Sequence, residues 1–241
     1  MTMIRIEPAK PSRAASRLAA LASLNDADLA ALRSAESNAR KVYARRDIVS
    51  ERQPMPGPTI LLSGWACRAY TLSDGRRQIL GLFLPGDLMG LSWHPNPTAT
   101  CNITALTDVV FCPAPQTALQ GPGSGLAEAY AVSKAGDEAF LLRHITRLGR
   151  MSAYERIADL MLEIYERLGS AGLTDGKSFQ MPLTQETLAD ALGLTTVHVN
   201  RTIQALRQDR TLSIGSRTVE LHDPVALAES LDRRPVSGQS I

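Results

Sequence analysis

The chain has 241 residues, 44% of them hydrophobic and 21% charged, and a formal net charge of +2 at pH 7. That length carries one large or two modest domains, no run is long enough to span a membrane, and the near-neutral total does not by itself advertise nucleic acid. Cys67, Cys101 and Cys112 are odd in number, widely spaced and without a CxxC, which excludes a disulfide framework and a thiolate zinc site.

Residues 1–19 read as a polar, flexible N-terminal segment. MTMIRIEPAK lacks the apolar core of a signal peptide, so the cytoplasm is the expected compartment. LASLNDADLAALRS predicts a helix capped by Asn25 or Asp26, with Leu29 and Leu32 inside. From Arg40 to Pro113 short alternating or apolar runs are punctuated by Gly, Pro and Asp. They predict an antiparallel β barrel or roll with turns at Ser63–Gly64, Asp74–Gly75 and Pro85–Gly86, inside a domain spanning 20–121. Pro-Gly-Ser-Gly at 122–125 marks a boundary. A long helix follows to about Arg150, within a segment 122–151. Leu126, Tyr130, Phe140, Leu141, Ile145, Leu148 and Met151 form an imperfect seam, with His144 on it or at its flank. A second copy of the same helix is the economical cover for that seam.

Ser152 caps a further Glu-rich helix to about Leu168, and GSAGLTDGKS reads as a loop. Residues 152–225 then carry PLTQETLADALGLTTVHVNRTIQALRQDRTLSIGSRTVEL, the pattern of a winged helix-turn-helix. Thr184 stands at an N-cap position, Leu188, Ala189 and Leu192 share a face, and Gly193 breaks the run. Thr195 opens a second helix, about 195–208, with Val199, Ile203 and Leu206 inward. Its other face offers Thr196, Val197, His198, Asn200, Arg201 and Gln204, short polar or methyl-bearing groups and a cation that can read base edges. Leu212–Leu221 reads as a hairpin wing. Between Thr195 and Arg217 lie Arg201, Arg207, Arg210 and Arg217 against Asp209 alone, so cationic charge is focused where phosphates would lie. Two short helices around a Gly also occur in ordinary helical proteins; the basic tip and the hairpin favour the DNA-reading pattern. DPVALAESL reads as a last short helix before a disordered end, and 226–241 as the C-terminal tail.

In order and spacing, LNDADLAAL, LLSGWACRAYTLSDGRRQILGLFLPGDLMGL, the long helix and LTQETLADALGLTTVHVNRTIQALR with its wing resemble the cyclic-AMP receptor/FNR superfamily of bacterial transcription regulators. The resemblance covers about residues 20–225. It implies an α+β chain: an N-terminal double-stranded β-helix (jelly-roll) sensor domain, a long dimerisation helix, and a C-terminal winged helix-turn-helix. It further implies a homodimer on a palindromic operator in double-stranded DNA, RNA polymerase as a candidate partner, and neither an enzyme nor a membrane protein. In the family an Arg on the recognition helix reads a base, and that position is Arg201, suited to guanine O6 and N7. The family's Glu four residues earlier is Val197 here, which can pack on a thymine methyl, and Thr196 precedes it. His198 and Asn200 are further contacts to base or phosphate. Thr184, Thr195, Ser216 and Arg217 are expected on phosphates, although Thr184 and Ser216 also read as a plain cap and a wing turn. Leu126, Tyr130, Phe140, Leu141, His144 and Leu148 are the expected dimer contacts.

Two departures bear on the signal. Cyclic-nucleotide-binding relatives hold the ribose with a Glu and the phosphate with an Arg after the PGD turn, but no Glu or Arg stands between Gly86 and Ala105 here. A buried phosphate without a cation would be costly. The oxygen-sensing branch holds an iron–sulfur cluster on N-terminal cysteines, and none precedes Cys67. No cofactor or metal is therefore expected. His94, in the Pro-flanked SWHPNP, is the candidate sensor residue that the resemblance implies, since some relatives bind haem in this domain, but a lone loop His is usually solvated or packed. Cys101 and Cys112 read as inert thiols on strands, and Trp65 and Trp93 as core or pocket wall. The alternatives are a sensor gated by haem, redox or another ligand, or a ligand-binding module whose helix-turn-helix meets protein.

Overall fold

The computed structural model describes residues 12–55, 57–91, 97–116, 124–215 and 217–233. Eight strands follow two N-terminal helices: β1 (Arg40–Val42), β2 (Asp47–Val49), β3 (Thr59–Ser63), β4 (Ala66–Thr71), β5 (Arg77–Phe83), β6 (Leu88–Met89), β7 (Asn102–Ala105) and β8 (Val109–Pro113). They pair as two antiparallel sheets, ordered β1-β8-β3-β6 and β2-β7-β4-β5. Side chains alternate across a strand, and the inward set, including Val49, Leu61, Phe83, Met89, Ile103 and Val109, packs as one cluster. Each large side chain so buried contributes roughly 1.5–3 kcal/mol. The turns expected at Gly64, Gly75 and Gly86 all take positive φ. At Gly86 the reason is also steric, because a Cβ would stand 2.4 Å from Cβ of Arg17. The turn leaves Asp87 buried, accepting from the backbone N–H of Leu84 at 2.6 Å.

The N-terminal segment needs a correction. Residues 13–19, expected to be flexible, form helix α1 (Arg13–Ala19), capped by Ser12. Ala14 and Leu18 are buried with Leu32 of helix α2 (Asp26–Glu36), and Arg17 lies beside Asp87. Residues 1–11 lie outside the described residues. Asn25 caps α2 in a capping box with Asp28.

Helix α3 (Gly125–Arg150) runs for 26 residues from its cap at Ser124. Helix α4 (Ala153–Ser170) follows, with Ser152 and Glu155 forming a capping box. Where α3 and α4 meet the β-roll lies a buried ion network. Arg147 donates to Asp159 and to Glu163, Arg167 donates to Glu163 and Asp87, and Arg143 and Arg233 close on Asp159. Buried charges are tolerated only when paired and hydrogen-bonded. Here burial pushes the Asp159 carboxyl up, but the hydrogen bond from Arg143 and the charges of Arg147 and Arg233 outweigh it and hold it below the ordinary carboxylate range.

The C-terminal part comprises β9 (Thr174–Asp175), β10 (Ser178–Gln180), α5 (Gln185–Leu192), α6 (Thr196–Gln208), β11 (Leu212–Ile214), β12 (Thr218–Leu221) and α7 (Pro224–Ser230). GSAGLTDGKS is more than a loop, since β9 and β10 extend the wing into the sheet β11-β12-β10-β9. α7 is the short helix expected in the tail. One continuous apolar cluster runs from Trp65, Cys67, Ile79 and Leu82 of the β-roll through Ile157 and Met161 of α4 to Leu192, Val199 and Leu206. The two halves thus share a core.

Candidate nucleic-acid interface

The helix-turn-helix is built from local signals. Thr184 Oγ1 accepts from the backbone N–H of Thr187, and Thr195 Oγ1 accepts from that of His198, so both expected caps form. Gly193 ends α5 in the left-handed region at φ 62, where a side chain would be strained. Leu188, Leu192, Val199, Ile203 and Leu206 are buried, as their spacing predicts. Thr202 is buried as well, its hydroxyl donating to the carbonyl of His198.

That packing turns the remaining residues outward. Thr195, Thr196, Val197, Asn200, Arg201 and Gln204 are exposed, and His198 is half-buried. Val197 is 78% exposed, an unusual position for an apolar side chain. Asn200 Nδ2 sits 3.4 Å from Gln185 Oε1, a long contact that leaves the amide available. The wing is fastened to α6 by Arg207, whose Nη2 donates to the carbonyl of Ile214 at 2.8 Å. Arg217 is exposed beside the hairpin turn, and its carbonyl accepts from Met181 N–H at 2.8 Å. Ser216 lies outside the described residues.

Two ties fix α5 on the β-roll, and neither has a sequence signal. Arg77 pairs with Asp190 at 2.7 Å, and Gln78 Nε2 donates to the carbonyl of Ala191 at 3.2 Å. Thr184 therefore opens on a cleft that Arg45, Arg76 and Arg77 line from the opposite side.

At Leu126, Tyr130 and His144 the expected seam on α3 is corrected by the packing. Leu126 and Tyr130 are only 1% and 3% exposed and belong to the chain's own core with α1 and α2. His144 is buried too, with Nε2 3.1 Å from the carbonyl of Ile79 and Nδ1 3.2 Å from Arg147 Nη1. Burial, reinforced by the Arg147 charge, holds its pKa below the ordinary value, so the ring is neutral: Nε2–H donates and Nδ1 accepts. Phe140 lies under the Arg167 guanidinium at 4.6 Å, and Leu141 lines a small inner cavity. Leu148 is half-buried. The solvent face carries a different row: Ala131, Ala135, Glu138, Leu142, Ile145 and Gly149. These follow each other by four and three residues in turn, the spacing of a coiled-coil seam. Leu142 and Ile145 are 60% and 66% exposed. Of this row the expected seam contains Ile145.

Burial pushes the thiols of Cys67 and Cys112 up to about 11, which makes them inert. Cys101 precedes β7 rather than lying on a strand, and burial raises its pKa too. Trp65 is a core residue; Trp93 and His94 lie outside the described residues. Among the described residues no group of three or more His, Cys, Asp or Glu could hold a metal ion, and no helix is long and apolar enough to cross a membrane.

Comparison with known proteins agrees with this arrangement. Residues 39–121 match the cyclic nucleotide-binding domain family and residues 155–230 the Crp-like helix-turn-helix domain family. The transcriptional activator protein FnrL of Cereibacter sphaeroides is 32% identical over 202 residues, covering 79% of each chain. The nitrogen fixation regulation protein FixK of Bradyrhizobium diazoefficiens is 32% identical over 208 residues, 82% of this chain and 84% of its own. The solved structure of FixK2 from Bradyrhizobium japonicum superposes with a TM-score of 0.69 at 26% identity, covering 82% of this chain and 98% of that one. A sensor-type β-roll, a long helix and an exposed recognition helix, matched in order by relatives over most of their length, place the chain in the Crp/Fnr family of DNA-binding transcription regulators.

Proposed function

We propose that the protein acts as a homodimer that reads a palindromic duplex through α6 and needs no small ligand to do so. The observation that carries this reading is the outward face of α6. Arg201 and Val197 stand one helical turn apart, both exposed, on a helix whose other face is fixed in the core. Arg201 suits guanine O6 and N7, and Val197 suits a thymine methyl. Thr196, His198 and Asn200 flank them as further base-edge contacts, while Thr195, Thr184, Ser216 and Arg217 are assigned to phosphates, which set register. The exposed heptad row on α3 supports two-fold assembly, and a two-fold dimer places its recognition helices about one helical turn of DNA apart. RNA polymerase is a partner to test, because the relative FnrL is named an activator.

The donor sets support independence from the family's usual signals. An iron–sulfur cluster takes four thiolates; the chain has three cysteines, and Cys67 and Cys112 are buried in different clusters. From Gly86 to Ala105 there is neither Glu nor Arg for a cyclic nucleotide's ribose and phosphate. The guanidinium that does line the cleft between the β-roll and α3, Arg68, is already paired with Asp137. The same cleft, about 260 Å³, favours a second reading, in which an effector enters there and gates DNA binding.

Selection of bound duplexes from a random library, with purified protein and no additive, tests both. An enriched palindrome bound in a salt-sensitive way supports the ligand-free dimer. Enrichment that appears only in cell extract favours the gated sensor, and no enrichment in either sinks the DNA-reading assignment.

A further inference from the structure

The cleft between the β-roll and the middle of α3 contains a side chain that DNA reading does not use. Arg68 leaves β4 toward α3, and its Nη2 donates to Asp137 Oδ2 at 2.8 Å. Its guanidinium carbon lies 4.9 Å from the centroid of the Phe83 ring, an arrangement that adds cation–π attraction to the ion pair. Room for it comes from Gly81, its partner across the β4–β5 ladder. A Cβ at residue 81 would stand 3.2 Å from Arg68 Nε, tighter than side chains normally pack. Among the described residues that Nε is buried without a hydrogen-bond partner, so the contacts that hold the guanidinium there are Asp137 and Phe83.

Position gives the pair its meaning. Arg68 and Asp137 line the open cleft of about 260 Å³ on one side. On the other they line a small inner cavity with His144, Arg147, Glu163 and Arg167. Those residues tie α3 to α4, and α4 in turn packs against α6. The pair thus stands between solvent and the charges that carry the DNA-reading half. A planar cation with one strong acceptor and one aromatic face is well suited to bridge two elements.

We propose that Arg68 is a positioning residue that serves as a built-in bridging ligand. Supplied by the chain itself, its guanidinium fixes the middle of α3 on the sensor sheet, and through the inner charges it sets the seating of α4 and α6. This deepens the ligand-free reading of the function and rests on it. It also accounts for the cleft: part of the space is already filled by the group that would otherwise have to diffuse in.

The test uses the full-length protein and two readouts: hydrogen exchange of the α3 backbone around Asp137 without DNA, and affinity for the selected operator. Arg68→Ala should speed exchange in that stretch and weaken operator binding about tenfold or more. Millimolar ethylguanidinium should restore both, while ethylurea, similar in shape but uncharged, should restore neither. Arg68→Lys, which keeps the charge and loses the planar fork, should fall between. Unchanged exchange and affinity in Arg68→Ala overturn the proposal, as does a loss that ethylguanidinium leaves in place. If Arg68→Ala does not fold, Asp137→Asn reads the same exchange, and wild-type protection there overturns the proposal equally. Should wild-type protein bind no duplex without extract, the ligand-free reading fails, and the DNA-free exchange still decides the role of Arg68.

Discussion

At Arg201 and His144 a single side chain carries a measurable role. Arg201 has solvent on its outer side and Val199 and Ile203 locking the helix beneath it. Arg201→Ala should cost roughly 1–3 kcal/mol of operator binding and relax discrimination at one base pair. Equal weakening on every sequence in a competition assay would reassign it to phosphate. His144 faces Ile79 O, Arg147, Glu163 and Asp159, and its folded pKa lies below the ordinary 6.5. The unfolded chain therefore takes up the proton first. The stability that neutral His144 contributes is fully present above about pH 6.5 and is lost as pH falls through that value toward the folded one. His144→Gln, which can still donate to Ile79 O and does not titrate, should flatten the slope of unfolding free energy between about pH 7 and 5. Urea titrations at several pH values check this; an unchanged slope would locate the acid sensitivity elsewhere.

Helices α3 and α1 show what can be read locally and what cannot. Leu142 and Ile145 lie on α3 where none of the described residues covers them. Ile145→Glu should shift the dimer to monomer in sedimentation and abolish tight operator binding while leaving the fold intact, since the site is solvated in one copy. A dimer that persists would move the interface off α3. The helix-turn-helix was legible because its determinants are local: Thr184, Gly193 and Thr195 each cap or break within four residues. The split of α3 into a covered and an exposed face was not, because α3 carries two apolar rows. Leu126 and Tyr130 face α1 and α2, Leu142 and Ile145 face outward, and apolar count alone cannot tell which row a distant element covers. α1 escaped for the same reason. Its Arg17 looks like a solvated cation until the PGD turn, some seventy residues on, brings Asp87 beside it. β9 and β10 hid in a polar stretch because β10 is held by long-range pairing with β12 and the burial of Phe179, and β9 only by pairing with β10.

Across the whole molecule the buried ions join what the sequence divides. Arg167 of α4 donates to Asp87 and to the carbonyl of Leu82 in the β-roll, and to Glu163 on its own helix. Arg167→Met leaves two buried carboxylates without that partner and should cost about 3–5 kcal/mol of unfolding free energy. A loss below about 1 kcal/mol in denaturant titration would mean that Arg147 and Arg17 compensate. The shared apolar core points the same way: sensor and reader should melt in one transition by calorimetry. There is a practical corollary for anyone recombining such regulators. A chimera cut at the end of α3, with this winged helix grafted onto a foreign β-roll, would lose the Arg77–Asp190 and Gln78–Ala191 ties and the Ile79 and Leu82 side chains that share its apolar cluster. The transplantable module is therefore the reader together with strand β5, and crossover points chosen from the linear sequence would fall in the wrong place.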